Sequence, residues 1–391
     1  MKRRTLAAAS VWTAAAAGGL LAQDWPQWRG PARDGRARAV NAPAEWPASL
    51  RQAWKTSVGT GHASAVVVGA SVFAFGRTGE EEVLSSLELA TGKPRWKQSY
   101  PAPYSMNSAA ASHGKGPKAT PTVAGGRVYT FGISGVLSAF DAASGRLAWR
   151  KDFKDAYGGN NSPEFGVASS PAVEQGALVV QVGTRDGGAI KALDAATGAE
   201  RWSLKGEGPA YASPVVATLA GTPQVVTFTQ TRLLGVDLAS GAVLWSQPFT
   251  TAYDQNSVTP VAAAGDTVIA SGLDQGLRAV HITKAGAAFK ADNAWQVSDV
   301  SLYMSSPVLD GERLFGFSHK QKGQLFALDP RSGKVLWTSP GRQGENAALV
   351  DVGTALLVLT TNSELLVLRK DAPAFAPVRT YQVADSPTWA H

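Results

Sequence analysis

The sequence predicts an all-β fold, a β-propeller of seven to eight four-stranded blades. Three observations predict it: one motif recurs five times, its copies are spaced by the length of four short strands, and the composition suits sheets joined by tight turns. Charged residues make up 17% of the 391 residues, against 41 Gly and 12 Trp. Low charge with many Gly residues suits a sheet protein with tight turns rather than a helical or disordered chain. Length alone would suggest two or three domains, but a closed ring of repeats counts as one.

The motif is acid-x-x-[Ser/Thr]-Gly-x-x-x-Trp. It runs through Asp141, Gly145 and Trp149; Asp194, Gly198 and Trp202; Asp237, Gly241 and Trp245; and Asp329, Gly333 and Trp337. A fifth copy starts from Glu88 and continues through Gly92 to Trp96. The carboxylate can accept backbone N–H groups of the turn that follows, and Gly supplies a positive φ that closes a hairpin. The Trp then lies on the next strand, where its ring fills the gap between neighbouring sheets. Upstream, a Ser/Thr-Pro pair introduces the first strand: Thr120-Pro121, Ser170-Pro171, Ser213-Pro214, Thr259-Pro260 and Ser306-Pro307. Proline is tolerated at a strand's first residue because no ladder bond is lost there. A β-branched run after a Gly turn supplies the second strand, as in Arg127–Phe131 after Gly125-Gly126. Four strands in about 45 residues form one blade.

Trp54, Trp96, Trp149, Trp202, Trp245, Trp295 and Trp337 mark the units, with Tyr381 in the slot after Trp337. Two turns are degenerate, at His281–Gly286 and Arg369–Pro373. Residues 52–58, around Trp54, read as an outermost strand with no earlier blade to own it. Ring closure would then let that strand complete a blade begun by the C-terminus. The expectation is an eight-blade ring, C-terminally incomplete, with a seven-blade ring and loose ends as the alternative.

The first 22 residues read as a signal peptide, followed by an N-terminal extension (23–50) and the propeller (51–391). Lys2, Arg3 and Arg4 precede an Ala-rich apolar stretch ending at Ala22. That stretch is too short and too rich in Ala for a membrane span, so no stable anchor is expected. Arg3-Arg4 is also compatible with twin-arginine export. The protein is therefore expected in the periplasm or outside the cell. With no Cys, disulfides, thiolate metal sites, covalently attached haem and a lipidated Cys are excluded. The formal charge of +7 loses Lys2, Arg3 and Arg4 on cleavage. The remaining basic residues are scattered, which argues against a nucleic-acid partner.

These motifs resemble the pyrroloquinoline-quinone-binding-like (PQQ-like) β-propeller repeat family over roughly residues 50–391, through the signature Ala-x-Asp-x-x-[Ser/Thr]-Gly-x-x-x-Trp. The stretch Asp24-Trp-Pro-Gln-Trp-Arg-Gly-Pro31 looks like the opening of its secreted bacterial members. The resemblance implies the fold, and it implies either of two functions, since one fold hosts unrelated activities. Quinoprotein dehydrogenases of the family hold PQQ with a calcium ion on the ring axis, often against a vicinal disulfide. This chain lacks Cys, is shorter than such enzymes, and matches neither their calcium ligands nor their base. The non-catalytic members include the outer-membrane protein assembly lipoprotein, from which the missing lipid-acceptor Cys departs.

In a propeller, the loops entering the innermost strands surround the channel mouth, where ligands bind. The residues before the Ser/Thr-Pro pairs give the candidate ligand-binding set: Asn107, His113, Lys118, Asn160, Glu164, Tyr211, Tyr253, Asn256, Tyr303, Glu345, Asn346 and Trp389. Two long insertions, Tyr100–Ala119 and Lys154–Ala168, fall on this face. Glu164, Asn160 and Asp254 carry oxygens suited to calcium, but their spacing is no known calcium loop. The five His show no zinc-type spacing, and no catalytic residue or metal ligand is assigned. The reading is an exported, non-catalytic scaffold, expected to be a monomer without a cofactor, that binds an envelope protein, a peptide or a small ligand at the channel mouth or blade edges. The alternative is a dehydrogenase of alcohols or sugars requiring PQQ and calcium. A polysaccharide hydrolase or lyase has no positive support.

Overall fold

The computed structural model describes residues 24–38, 40, 42–157 and 163–388. Within them the chain forms seven antiparallel sheets of four strands, each paired in simple sequence order. The blades span residues 66–101, 122–152, 172–205, 215–248, 261–297, 308–338 and 347–382. The innermost strands begin just after the Ser/Thr-Pro pairs, at Thr122, Ala172, Val215, Val261 and Val308. Every Trp of the motif lies on the fourth strand of its blade.

The repeat explains itself at the turns. Asp194 Oδ1 accepts the amides of Ala196 and Thr197 and the Thr197 hydroxyl, at 3.0, 2.9 and 3.0 Å. Asp141, Asp237 and Asp329 hold their turns likewise. The Trp of one blade docks on the turn of the next: Trp202 Nε1 donates to the Leu238 carbonyl at 2.9 Å. Its ring lies so close to Gly241 (φ +77°) that a Cβ there would sit 2.7 Å from Cδ2. The same lock joins Trp96 to the Gly145 turn, Trp149 to Gly198 and Trp295 to Gly333. Opposite each Trp on the third strand stands a small residue: Ser86, Ala139, Ala192, Gly235, Ala279 or Ala327. These are the Ala positions of the signature, kept small to seat the indole. A one-residue register shift follows each pair, as a β-bulge would produce.

The eight-blade expectation is corrected to seven. Residues 52–58 form no strand, yet Trp54 docks like a blade Trp, with Nε1 on the Leu89 carbonyl and the ring against Gly92. The motif reports a side-chain slot, and here coil fills it. Tyr381 is also displaced from its expected role, since Arg379 holds the register position of the Trp, opposite Val367. Tyr381 lies two residues further along and donates to the Pro47 carbonyl at 2.7 Å. At the degenerate turn after His281 the third strand of blade five runs on to Ala285, and the fourth returns from Ala288.

Six apolar clusters lie between successive blades. A seventh, beside blade seven, joins Val352, Ala355, Val367 and Tyr381 to Trp25, Ala37, Val40, Ala42 and Trp46 of the N-terminal segment. Between blades one and two, the buried Glu82 accepts from Tyr100 Oη and from the Ile133 amide, both at 2.7 Å. Glu82→Ala orphans both donors, at about 1–3 kcal/mol each; Glu82→Gln keeps an acceptor and is expected to cost less, read from denaturant midpoints. Burial raises the Glu82 pKa above its ordinary 4.5. The folded state therefore binds the proton more tightly, and stability falls as pH rises from 4.5 through the raised value. That component disappears in Glu82→Gln.

Candidate functional site at the channel mouth

The residues after Asp24 run through the ring's centre. Trp25 pairs with Val67 of blade one, and the Pro26 carbonyl accepts from Val123 of blade two. Trp28 Nε1 donates to Thr259 Oγ1 of blade five at 2.9 Å. Arg29 donates to the Pro307 carbonyl of blade six. Arg33 reaches the Ser170 and Pro171 carbonyls of blade three at 3.0 and 2.9 Å. Arg36 pairs with Asp351 of blade seven at 3.2 Å. Trp28, Arg29 and Arg33 are buried. Burial lowers the Arg29 and Arg33 pKa values to about 10 and 9, so both remain cations at neutral pH.

Above this plug the Ser/Thr hydroxyls stitch neighbouring blades. Thr120 Oγ1 accepts the Ser64 amide, Ser170 Oγ the Thr120 amide and Ser213 Oγ the Ser170 amide, at 3.1, 2.9 and 2.9 Å. Ser306 Oγ accepts the Thr259 amide at 3.0 Å. The hydroxyl step thus does more than start a strand: it fixes the rim of the mouth.

The mouth is a small cleft of about 90 Å3, open to solvent, lined by Trp28 and by residues from blades one to six. Aromatic rings follow one another along its wall. His62 and His113 lie 6.4 Å apart, His113 and Phe165 4.9 Å, and Phe165 and Tyr211 5.6 Å, all edge to face. His62 Nε2 donates to the His113 carbonyl at 2.9 Å. Burial lowers both imidazole pKa values below 6.5 and raises that of Tyr211. Lys118, only 9% exposed, lines the same cleft.

Of the residues expected from sequence, His113, Lys118 and Tyr211 meet in this cleft, with half-buried Glu164 beside Phe165. Tyr303, Glu345 and Asn346 line a second cleft with His319, Arg342 and Asn362. Tyr303 Oη donates to Gln255 Oε1 of the first cleft at 2.5 Å. Asn107 instead caps the short 3-10 helix Ser108–His113 by accepting the Ala109 amide. Asn256 is wholly buried, and its amide donates to the Thr229, Gln230 and Phe249 carbonyls. Tyr253 is 77% exposed and lines neither cleft. Asn160 and Trp389 lie outside the described residues. Trp28, His62, Gln255 and Met304 were not anticipated. The Asp24–Pro31 stretch was the one signal pointing to Trp28; His62 was masked because Ala65 replaces the proline of its blade's first strand.

The axis does not fit a quinone with a divalent cation. Trp28, Arg29 and Arg33 fill it, and two guanidinium groups oppose a metal ion where carboxylates would be needed. Asp254, one of the calcium candidates, is instead paired with Arg185. Among the described residues no group of three His, Cys, Asp or Glu is placed to hold a metal.

Seven blades among the described residues, locked Trp-on-Gly around a filled axis with an aromatic mouth above it, define a repeat β-propeller. Residues 33–150 and 79–339 match the family described as outer membrane protein assembly factor BamB, and the chain belongs to that family. The chain is 24% identical over 334 residues to the outer membrane protein assembly factor BamB of Yersinia pestis, covering 83% of this chain and 69% of that protein. It is 36% identical to a quinohemoprotein alcohol dehydrogenase of Pseudomonas putida over only 116 residues, 29% of this chain and 15% of that enzyme. The crystal structure of BamB from Moraxella catarrhalis shares the fold, with a TM-score of 0.56 at 16% identity over 82% of this chain and 85% of that one.

Proposed function

We propose that the chain is an exported, non-catalytic scaffold that binds an envelope protein at the channel mouth, as part of outer-membrane protein assembly. The observation that carries this reading is the His62–His113–Phe165–Tyr211 wall above Trp28, an aromatic cleft suited to apolar side chains of a partner. The names of the relatives supply the assembly context. Residues 1–22, outside the described residues, would direct export as a signal peptide. No helix among the described residues is long and apolar enough to cross a membrane.

A photo-crosslinking residue placed at Tyr211 or Phe165 in intact cells is expected to yield adducts with envelope proteins. One placed at Leu147 or Val243, exposed on outer strands, is expected to yield none. Adducts confined to the outer strands would overturn the mouth as the docking site. Adding PQQ and calcium is expected to leave the melting temperature unchanged, whereas a ligand at 100 times its Kd stabilises the fold by about 2.7 kcal/mol. A rise needing both additives would restore the dehydrogenase reading.

A further inference from the structure

We infer that the channel mouth is a receptor for a carboxylate carried on an apolar body, with Lys118 as its counter-ion. Such a group is supplied either by the C-terminal residue of a peptide chain or by a free aromatic or aliphatic acid. The inference rests on the proposed binding role of the mouth and names the chemistry it selects.

Lys118 stands two residues before Thr120, on the loop that enters blade two, and is nine-tenths buried in the cleft wall. Its Nζ donates to the Gly114 carbonyl at 3.3 Å. An ammonium carries three donors, so that bond leaves donor capacity on a side chain that lines the cleft. Among the described residues Lys118 forms no ion pair with a carboxylate. A buried cation without a counter-ion is costly, and an anion entering the cleft would offset that cost.

The rest of the lining sets the anion's character. Among the described residues no acidic side chain lines the cleft, Glu164 standing just outside it beside Phe165, and burial lowers the His62 and His113 pKa values, which favours neutral imidazoles. Lys118 is the one Lys, Arg, Asp or Glu among the described lining residues, which matches a monoanion better than a phosphate. Arg33 adds positive potential from beneath, because the Ser170 carbonyl it binds belongs to a cleft residue. Trp28, Phe165, Tyr211 and Met304 offer the apolar and aromatic surface for the body that carries the charge.

The test is calorimetric titration of the mature protein with N-acetylphenylalanine and with its amide. The acid is expected to bind at least tenfold more tightly, and Lys118→Gln to erase the difference. Equal binding of acid and amide by the unaltered protein would overturn the inference, independently of whether any variant folds. Discrimination that persists in a folded Lys118→Gln protein would overturn it as well. Titration with decanoate, and with a ten-residue peptide ending in Phe as free acid or amide, separates the two sources. Tight decanoate and weak peptide indicate a free acid, and the reverse indicates a chain terminus. If acid and amide prove equivalent while Tyr211 still crosslinks to envelope proteins, the scaffold reading survives and the carboxylate inference fails.

Discussion

Trp202→Ala is expected to lower the free energy of unfolding by about 3–5 kcal/mol, the range for emptying a buried indole site. The loss includes the bond to the Leu238 carbonyl and the packing against Gly241. Gly241→Ala should also destabilise, for two separable reasons. A left-handed conformation costs an L-residue about 1–2 kcal/mol, and the new Cβ would press on the indole. In the double variant the ring is gone and only the backbone cost remains. The two losses should therefore fall short of additivity by about 1–2 kcal/mol, a coupling typical of touching residues. Denaturant titration of the four proteins measures it. Strict additivity would mean that ring and glycine do not meet.

The second large effect is expected at the axis. Trp28→Ala removes a buried indole and its bond to Thr259, at about 3–5 kcal/mol. Arg33→Met leaves the Ser170 carbonyl without that donor, at about 1–3 kcal/mol, while the Pro171 carbonyl keeps the Thr122 hydroxyl at 2.7 Å. Loss of the plug should also show locally. The Val67 and Val123 amides donate to Trp25 and Pro26, on the channel side of their strands. Their hydrogen exchange is expected to accelerate in Trp28→Ala, while second-strand amides such as that of Val179 stay protected. Unchanged protection at Val67 and Val123 would show that the segment is held without Trp28.

Much of the ring was legible because each motif residue has one local job. Asp194, Thr197 and Gly198 build a turn, and Trp202 reaches the next one; both steps are written within about ten residues. The blade count was harder to read. Trp54 and Tyr381 make side-chain contacts like those of blade residues, although Trp54 sits on coil and Arg379 holds the strand position. Side-chain spacing alone could not separate these cases. At the site, Lys118 and Tyr211 could be placed from their distance to a Ser/Thr-Pro step. Asn256 occupies the same kind of position but spends its amide on three carbonyls, which only the fold reveals. His62 and His113 are 51 residues apart in sequence and meet only because adjacent blades bring their entry loops together.

The axial plug also bears on how the molecule comes to be made. Arg36 and Asp351 are separated by 315 residues, and Trp28 and Thr259 by 231. Loops of that length close late, because the entropy of bringing their ends together is recovered only when the distant partners are already in place. During synthesis the segment around Trp28 emerges before any blade exists to receive it. Blades one to three can assemble as they appear, but Arg29, Arg36 and the seam beside Tyr381 must wait for blades six and seven. The earliest part of the folded domain to be synthesised is thus among the last to settle, and it acts as a latch that reports completion of the ring. Until then the innermost strands of the early blades present open edges at the centre, the stage at which a chaperone would find most to hold.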